Sequence, residues 1–234
     1  MADKNFVRSM FNNIAPTYDK LNHILSLNID KIWRKKAVKR ICKNLRSSES
    51  HVLDVACGTA DSSIALAKSG IPFVTGVDIS VGMIKVGEEK IKSLNINNIN
   101  LKVEDCENLS FEDNSFDSAF IAFGIRNFED KKKGLNELRR VLKDNGHLLI
   151  LELSVPQNNI LLSLYKLYFL HILPFIGKKI SGDSKAYTYL PNSVMNFPKP
   201  KEFMAMMEEC EFKNVKQKAL TFGLCRIYEG FVIS

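Results

Sequence analysis

Short apolar runs alternating with amphipathic stretches predict an α/β fold for this chain: a mostly parallel seven-stranded sheet, helices on both faces and an antiparallel edge strand. Two features carry that expectation. From residue 51 to about residue 153, strand-like and helix-like segments follow one another at the rhythm of right-handed crossover units. Nearer the C-terminus, two strand-like runs stand close together, which places them as an antiparallel pair extending one sheet edge.

The first fifty residues read as helical. Asp30 stands where it can cap a helix on which Ile32, Trp33, Ala37, Ile41 and Leu45 recur at helical spacing. Lysines and arginines at positions 31, 34, 35, 36, 39 and 40 make the rest of that helix basic. The alternating region opens with a strand over His51 to Ala56 and a helix from Asp61 to Ser69. A second strand, Phe73 to Asp78, precedes a helix capped by Ser80 that turns Met83, Ile84, Ile91 and Leu94 inward. Ile99 to Val103 and Phe116 to Phe123 are the third and fourth strands, the latter entered through the turn Glu112 to Ser115. An amphipathic helix, Lys131 to Leu142, ends at Asn145-Gly146 before the apolar strand His147 to Leu153. Ile160 to Leu173 is apolar nearly all round, then Pro174, Gly177 and Gly182 break it. A helix over Pro198 to Cys210 leads to the terminal strands Val215 to Phe222 and Arg226 to Ile233. With no repeat or low-complexity linker, residues 1–234 read as one domain, with 1–48 a helical cap and 155–200 a helical insertion placed to cover a substrate.

At 234 residues the chain can bury one α/β core without staples. Its five cysteines (Cys42, Cys57, Cys106, Cys210, Cys225) include no CxxC pair, so no metal site and no disulfide framework are expected. No uncharged apolar stretch reaches the roughly 18 residues that mark a membrane span. The nearest, Ile160 to Ile176, is interrupted by Lys166, His171 and Pro174. Met1 to Ser9 is polar and mixed in charge, unlike a secretory signal, which gives the expectation of a cytoplasmic bacterial protein. The net charge of +7 suits anionic partners such as nucleic acid, an anionic membrane face or acidic metabolites, or reflects only scattered lysines.

In an open parallel sheet, ligands bind beyond the carboxyl ends of the strands, where the topology reverses. Here the first strand ends in Leu53-Asp-Val-Ala-Cys-Gly-Thr-Ala-Asp61. Gly58 permits a tight turn and a close backbone approach to a ligand. A dinucleotide fingerprint needs glycines at G-x-G-x-x-G, and this loop has one, which argues against a pyrophosphate cradle. The second strand ends at Asp78, about twenty residues on, where a carboxylate can accept both hydroxyls of a ribose. After the third strand, Asp105 can take an adenine amino group and Cys106 can offer its backbone amide. Three acidic strand ends suit a nucleoside bearing a cationic sulfonium better than a nicotinamide dinucleotide.

The segments Val52 to Asp61 and Gly76-Val-Asp-Ile-Ser80 resemble the first two motifs of class I methyltransferases, a Rossmann-like fold. Phe123-Gly-Ile-Arg-Asn127, preceded by Leu109 to Asp117, resembles more narrowly the C-methyltransferases of menaquinone and ubiquinone biosynthesis. Phe11 to Asp19, Leu27 to Arg34, His171-Ile-Leu-Pro174 with Gly177, and Tyr187-Thr-Tyr-Leu190 match as well, so the resemblance runs from about Val7 to the C-terminus. It implies S-adenosyl-L-methionine as cofactor, contacted by Thr59, Asp78 and the pair Asp105-Cys106, with Gly58 in the loop. Two departures stand out: Ala60 where such proteins usually have glycine, tolerable if its φ is negative, and Ala122 where they often have serine.

The implied reaction is C-methylation of a prenylated quinol, demethylmenaquinol to menaquinol, with 2-polyprenyl-6-methoxy-1,4-benzoquinol as the alternative substrate. Such chemistry needs alignment of donor and acceptor, a base, and a group that stabilises a phenolate. Arg126 and Asn127, just past the fourth strand, are the candidates to stabilise the phenolate and orient the hydroxyl. Arginine is a poor base because it holds its proton too tightly. Tyr18 and His171 are further catalytic candidates. A quinol tail gives Ile160 to Ile176 a role as tunnel wall, and the basic helix a place on anionic headgroups, so a peripheral membrane-surface contact is compatible with the sequence, as is a homodimer. The competing classes are weaker. A nucleotide-cofactor oxidoreductase lacks its glycines, a nucleic-acid methyltransferase lacks an RNA-binding module or an Asn-Pro-Pro-aromatic motif, and a non-catalytic nucleoside binder differs only in turnover.

Overall fold

The computed structural model describes residues 3–45, 49–156, 158, 162, 163, 165 and 184–233. Half of the expected insertion 155–200, nearly all of the apolar run 160–176, and His171 fall outside them. The chain opens with α1 (Lys4–Ile14), whose N-cap Asp3 accepts the Phe6 N–H at 2.7 Å. A 3₁₀ turn leads into α2 (Tyr18–Leu25) and α3 (Ile29–Asn44). Strand-helix alternation follows: β1 (His51–Val55), α4 (Asp61–Lys68), β2 (Phe73–Asp78), α5 (Val81–Ser93), β3 (Ile99–Val103), β4 (Phe116–Ala122), α6 (Lys131–Val141) and β5 (Leu142–Leu153). Helices α7 (Ser184–Met195) and α8 (Pro200–Glu209) precede β6 (Lys213–Leu220) and β7 (Cys225–Phe231).

The seven strands form one sheet in the order β3-β2-β1-β4-β5-β7-β6. The first five run parallel, β7 runs against β5, and β6 pairs antiparallel with β7. The expected antiparallel strand is therefore β7, which lies one place in from the edge, with β6 outside it. Alternate residues of each central strand serve opposite layers, as the two-residue period of a strand requires. Leu53, Val55, Ala119, Ile121, Leu148 and Ile150 pack against Leu135 and Leu138 of α6 and Phe203 and Met207 of α8. Val52, Val74, Phe120, Leu149 and Leu151 pack against Trp33, Ala37 and Ile41 of α3 and Leu66 of α4. Helices thus cover both faces, and apolar burial holds them there. Truncating a fully buried side chain such as Leu138 to alanine costs roughly 2–5 kcal/mol.

Three local expectations give way to tertiary context. Asn145-Gly146 does not separate helix from strand: β5 already begins at Leu142, because Phe116 pairs with Leu142 and the Asn145 N–H reaches Val232 O at 2.9 Å. Asp30 is not an N-cap. Leu27 and Asn28 both take left-handed backbone, with φ of 52 and 59°, so α3 starts at Ile29 and Asp30 falls inside its first turn, buried. Ile32 and Leu94 face outward, not into the core.

One buried polar group in β1 makes stability depend on pH. Asp54 is fully buried, with one oxygen accepting Ser63 Oγ–H at 2.6 Å and the other without a hydrogen-bond partner among the described residues. Burial pushes its carboxyl up to about 7, against partial relief from Ser63. Between the ordinary carboxylate value of about 4 and about 7, the folded state keeps a proton that the unfolded chain has lost. Stability from this group is therefore full below that window and is lost as pH rises through it. Asp54→Asn, neutral throughout, is expected to melt above the parent at pH 8 but not at pH 4.5, as read by calorimetry.

Candidate active site

The β1–α4 loop is shaped by left-handed backbone at every other residue: Ala56 (φ 53°), Gly58 (56°) and Ala60 (66°). Each non-glycine in that region costs about 1 kcal/mol or more, so the loop holds strain of the kind found at functional sites. Ala60 thus adopts the conformation that suits glycine, so the negative φ that would make an alanine easy to tolerate there is not met. Two ties fix the loop against β2. The Cys57 N–H donates to Val77 O at 3.0 Å, and the Gly58 N–H donates to Asp78 Oδ2 at 2.9 Å. Asp78 Oδ1 accepts the Ser80 N–H at 2.8 Å. Burial pushes the Asp78 carboxyl above its ordinary range, and these backbone donors pull it partly back. The Ile79 N–H adds to the same pull, and with four lone-pair sites the carboxylate keeps capacity to accept a ligand hydroxyl.

Beyond β3, Asp105 Oδ2 accepts from Lys4 Nζ of α1 at 2.8 Å, and Oδ1 accepts the Glu107 N–H at 3.0 Å. Cys106 is buried and its thiol is pushed up by that burial, which makes it inert as a nucleophile.

A cavity of about 340 Å³ lies over the loop. Gly58 and Thr59 line it from below, Tyr18 and His23 from α2, Trp33 and Arg34 from α3, and Arg126 from the turn after β4. The structure therefore brings Tyr18, Gly58, Thr59 and Arg126 to one space. Asp78, Asp105, Cys106 and Asn127 do not line it.

Arg126 sits in a 3₁₀ turn, Ile125–Asn127, pressed against the loop: a Cβ on Gly124 would stand 2.5 Å from the Ala56 Cβ. Its guanidinium is buried, donates to Phe123 O, and pairs with Glu152 Oε1 at 2.8 Å. Glu152 Oε2 also accepts the Arg126 N–H at 3.2 Å. Burial works against the guanidinium charge, but Glu152, then Tyr18, holds its pKa above the ordinary value. The Arg126 charge in turn partly offsets the burial that pushes the Tyr18 hydroxyl up. Asn127 Oδ1 accepts from Tyr189 OH at 3.1 Å, which commits its carbonyl end.

The opposite wall carries a network that sequence reasoning left unassembled. Lys90 Nζ of α5 donates to Asp19 Oδ2 at 2.7 Å and to Asp61 Oδ1 at 2.5 Å. Thr59 Oγ1 donates to Asp19 Oδ1 at 2.5 Å. His23 Nδ1 lies 3.0 Å from Asp30 Oδ2, and its Nε2 lies 3.5 Å from Asp61 Oδ2. Arg34 and Arg40, taken with the basic face of α3, are instead half-buried in pairs with Asp30 and with Glu229. Among the described residues no cluster of metal ligands occurs.

A model of the ubiE/COQ5 methyltransferase family matches residues 1–232. The chain belongs to that family. It is 44% identical over 224 residues to a demethylmenaquinone methyltransferase of Bacteroides fragilis, covering 95% of this chain and 90% of that one. It is 45% identical over 227 residues to the ubiquinone/menaquinone biosynthesis C-methyltransferase UbiE of Citrifermentans bemidjiense, covering 96% and 95%. A SAM-dependent methyltransferase structure from Thermotoga maritima, 17% identical, superposes with a TM-score of 0.65 over 96% of this chain and 98% of that one, a likeness of fold. Among the residues of this site, Glu152 escaped the sequence motifs. Its one sequence signal is a lone carboxylate inside the apolar strand His147 to Leu153.

Removing Glu152 strands a buried guanidinium. Glu152→Ala is expected to cost about 3–5 kcal/mol in chemical denaturation. Glu152→Ala with Arg126→Met is expected to recover most of it. Recovery in the double variant separates charge burial from lost packing.

Proposed function

We propose that this family member methylates a ring carbon of demethylmenaquinol, using S-adenosyl-L-methionine, in the cavity above the β1–α4 loop. The observation that carries the reading is the convergence of Gly58 and Thr59 with Arg126 and Tyr18 on one space. The residues present fit the cofactor. The loop has one glycine and no phosphate cradle, its Cys57, Gly58 and Ala60 N–H groups being held within the fold, and the Asp78 carboxylate retains acceptor capacity for a ribose hydroxyl. We assign Gly58, Thr59 and Asp78 to the loop and ribose, and Asp105 with the Cys106 amide to the base. When bound, the cofactor supplies an activated methyl group.

The chain's own residues then align and polarise the quinol. Arg126, fixed by Glu152 and aimed into the cavity, offers charge to a developing phenolate without moving. Asn127, next to Arg126 but outside the cavity lining, has its carbonyl held by Tyr189, and we assign its amide nitrogen to orient the hydroxyl. Tyr18 closes the space beside them. Residues 1–48 serve in this reading as a cap over the cofactor and 155–200 as the cover over the quinol, within one domain.

A prenylated quinol resides in a bilayer, and the cavity mouth is suited to one. Among the described residues no helix is long and apolar enough to cross a membrane. Two left-handed turns instead raise large apolar side chains into solvent: Leu27 is 77% exposed and Phe222, at φ 56°, is 81% exposed. Leu27 and Leu224 line the cavity, and Trp33 Nε1 donates to Thr221 Oγ1 at 2.8 Å, so both turns border it. Lys31, Lys35, Lys36 and Lys39 of α3 are exposed alongside. Each basic residue near an anionic surface contributes about 1 kcal/mol. We place the protein at the inner face of the bacterial membrane on this basis.

Purified protein with methyl-labelled cofactor is expected to label demethylmenaquinol in preference to the methoxybenzoquinol; label in neither sinks the reading. Asp78→Ala is expected to weaken cofactor binding about 10- to 100-fold in titration calorimetry, the range of hydrogen bonds to a charged group. In flotation with vesicles containing phosphatidylglycerol, the protein should rise with the lipid at low salt and less so at high salt. Phe222→Ser should reduce that fraction, and an unchanged fraction removes the turn from the contact.

A further inference from the structure

A quinol hydroxyl must lose its proton before the neighbouring ring carbon becomes a strong nucleophile, and this requirement rests on the quinol reading above. Arg126 cannot accept that proton, being already charged and paired with Glu152 at 2.8 Å. Tyr18 would have to be ionised first, and burial opposes that. Asp19 and Asp61 are committed to the Lys90 ammonium at 2.7 and 2.5 Å. Asp30 is buried behind the His23 ring, with Ser26 Oγ–H at 2.6 Å and Arg34 Nη1 at 3.3 Å already on its two oxygens.

We propose that His23 is the general base of the methyl transfer, with Asp30 as its positioning residue. The Asp30 carboxylate can only accept, so the 3.0 Å contact puts the ring proton on Nδ1 and leaves the Nε2 lone pair as acceptor. Nε2 is 3.5 Å from Asp61 Oδ2, too long to be spent there yet close enough to steady the imidazolium. Around the ring stand Asp30 and Arg34 of α3, Asp61 of α4, Lys90 of α5, and Tyr18 and Asp19 of α2. The proton passes from the quinol oxygen to Nε2, and the O–H electron pair stays on oxygen and feeds the ring carbon that accepts the methyl group. The C–S electron pair returns to sulfur as the C–C bond forms. The hydrogen on the methylated carbon then leaves as a proton while an oxygen regains one, so one proton per turnover leaves through His23 to solvent.

The test uses the full chain with the labelled cofactor and demethylmenaquinol. His23→Gln is expected to lower kcat about 10²- to 10⁴-fold, the usual worth of a general base. The acid limb of the pH profile of kcat/KM should vanish with it. Affinity for S-adenosylhomocysteine by calorimetry should stay within about twofold of the parent. Asp30→Asn should lower kcat less and keep the acid limb, since it loosens the ring without removing it. Unchanged kcat in His23→Gln, an acid limb that persists, or a loss confined to cofactor affinity would each overturn the proposal. A parent that methylates no quinol overturns this proposal and the substrate reading together, whereas an active parent with an active His23→Gln overturns the base alone.

Discussion

Both oxygens of Asp78 accept backbone N–H groups, from Gly58 on one side and Ser80 on the other, and the rest of the site hangs from that double acceptance. A carboxylate at the start of α5 also meets the positive end of that helix. Ser80 in turn caps α5 through the Met83 N–H at 3.2 Å and donates to Asn12 Oδ1 of α1 at 2.8 Å. The Gly82 N–H reaches the same Asn12 oxygen at 2.9 Å, and a Cβ on Gly82 would crowd Asn12 at 3.1 Å. One strand-end carboxylate therefore joins the strained loop, the helix beyond it and the N-terminal cap. The cap is seated by a chain of directed hydrogen bonds as well as by the apolar contacts of Met10, Ile14 and Met83.

The cavity has two walls of different electrostatic kind. On one, Arg126 and Glu152 form a dry pair rooted in β5, surrounded by the fold's apolar layers; such a pair gives fixed direction more than stability. On the other, Asp19, Asp30 and Asp61 face Lys90, Arg34 and His23 across helices α2 to α5. The rigid wall suits a charge that must be waiting in place, and the hydrogen-bonded wall suits a proton that must move.

The central strands were legible because strands buried on both faces read as continuous apolar runs, and β2 and the half-exposed edge strand β3 match their expected limits residue for residue. What local patterning missed was set by contacts distant in sequence. Lys143-Asp-Asn-Gly146 has the composition of a turn, yet Val232, just past β7, bonds Asn145 and Gly146 and keeps that stretch in the sheet. Asp30 has the look of a cap, yet the left-handed pair Leu27-Asn28 moves the helix start past it and makes it a partner for His23. In the site, the loop and the acidic strand ends were readable because they are contiguous motifs. Glu152, Lys90 and His23 were not, since each acquires its meaning from a partner at least seven residues away. The loop's shape was half visible: its one glycine signalled a tight turn, and the alternation of left-handed backbone through Ala56, Gly58 and Ala60 emerges only from the ties to β2.

Through Asp78 the β1–α4 loop and the N-terminal helices are joined, and they should respond together. Hydrogen exchange with and without S-adenosylhomocysteine tests that joint response most directly. Slowed exchange in residues 56–61 together with residues 4–25 is the predicted result, both lost in Asp78→Asn. Slowing confined to residues 56–61, with the cap unaffected, would contradict the account.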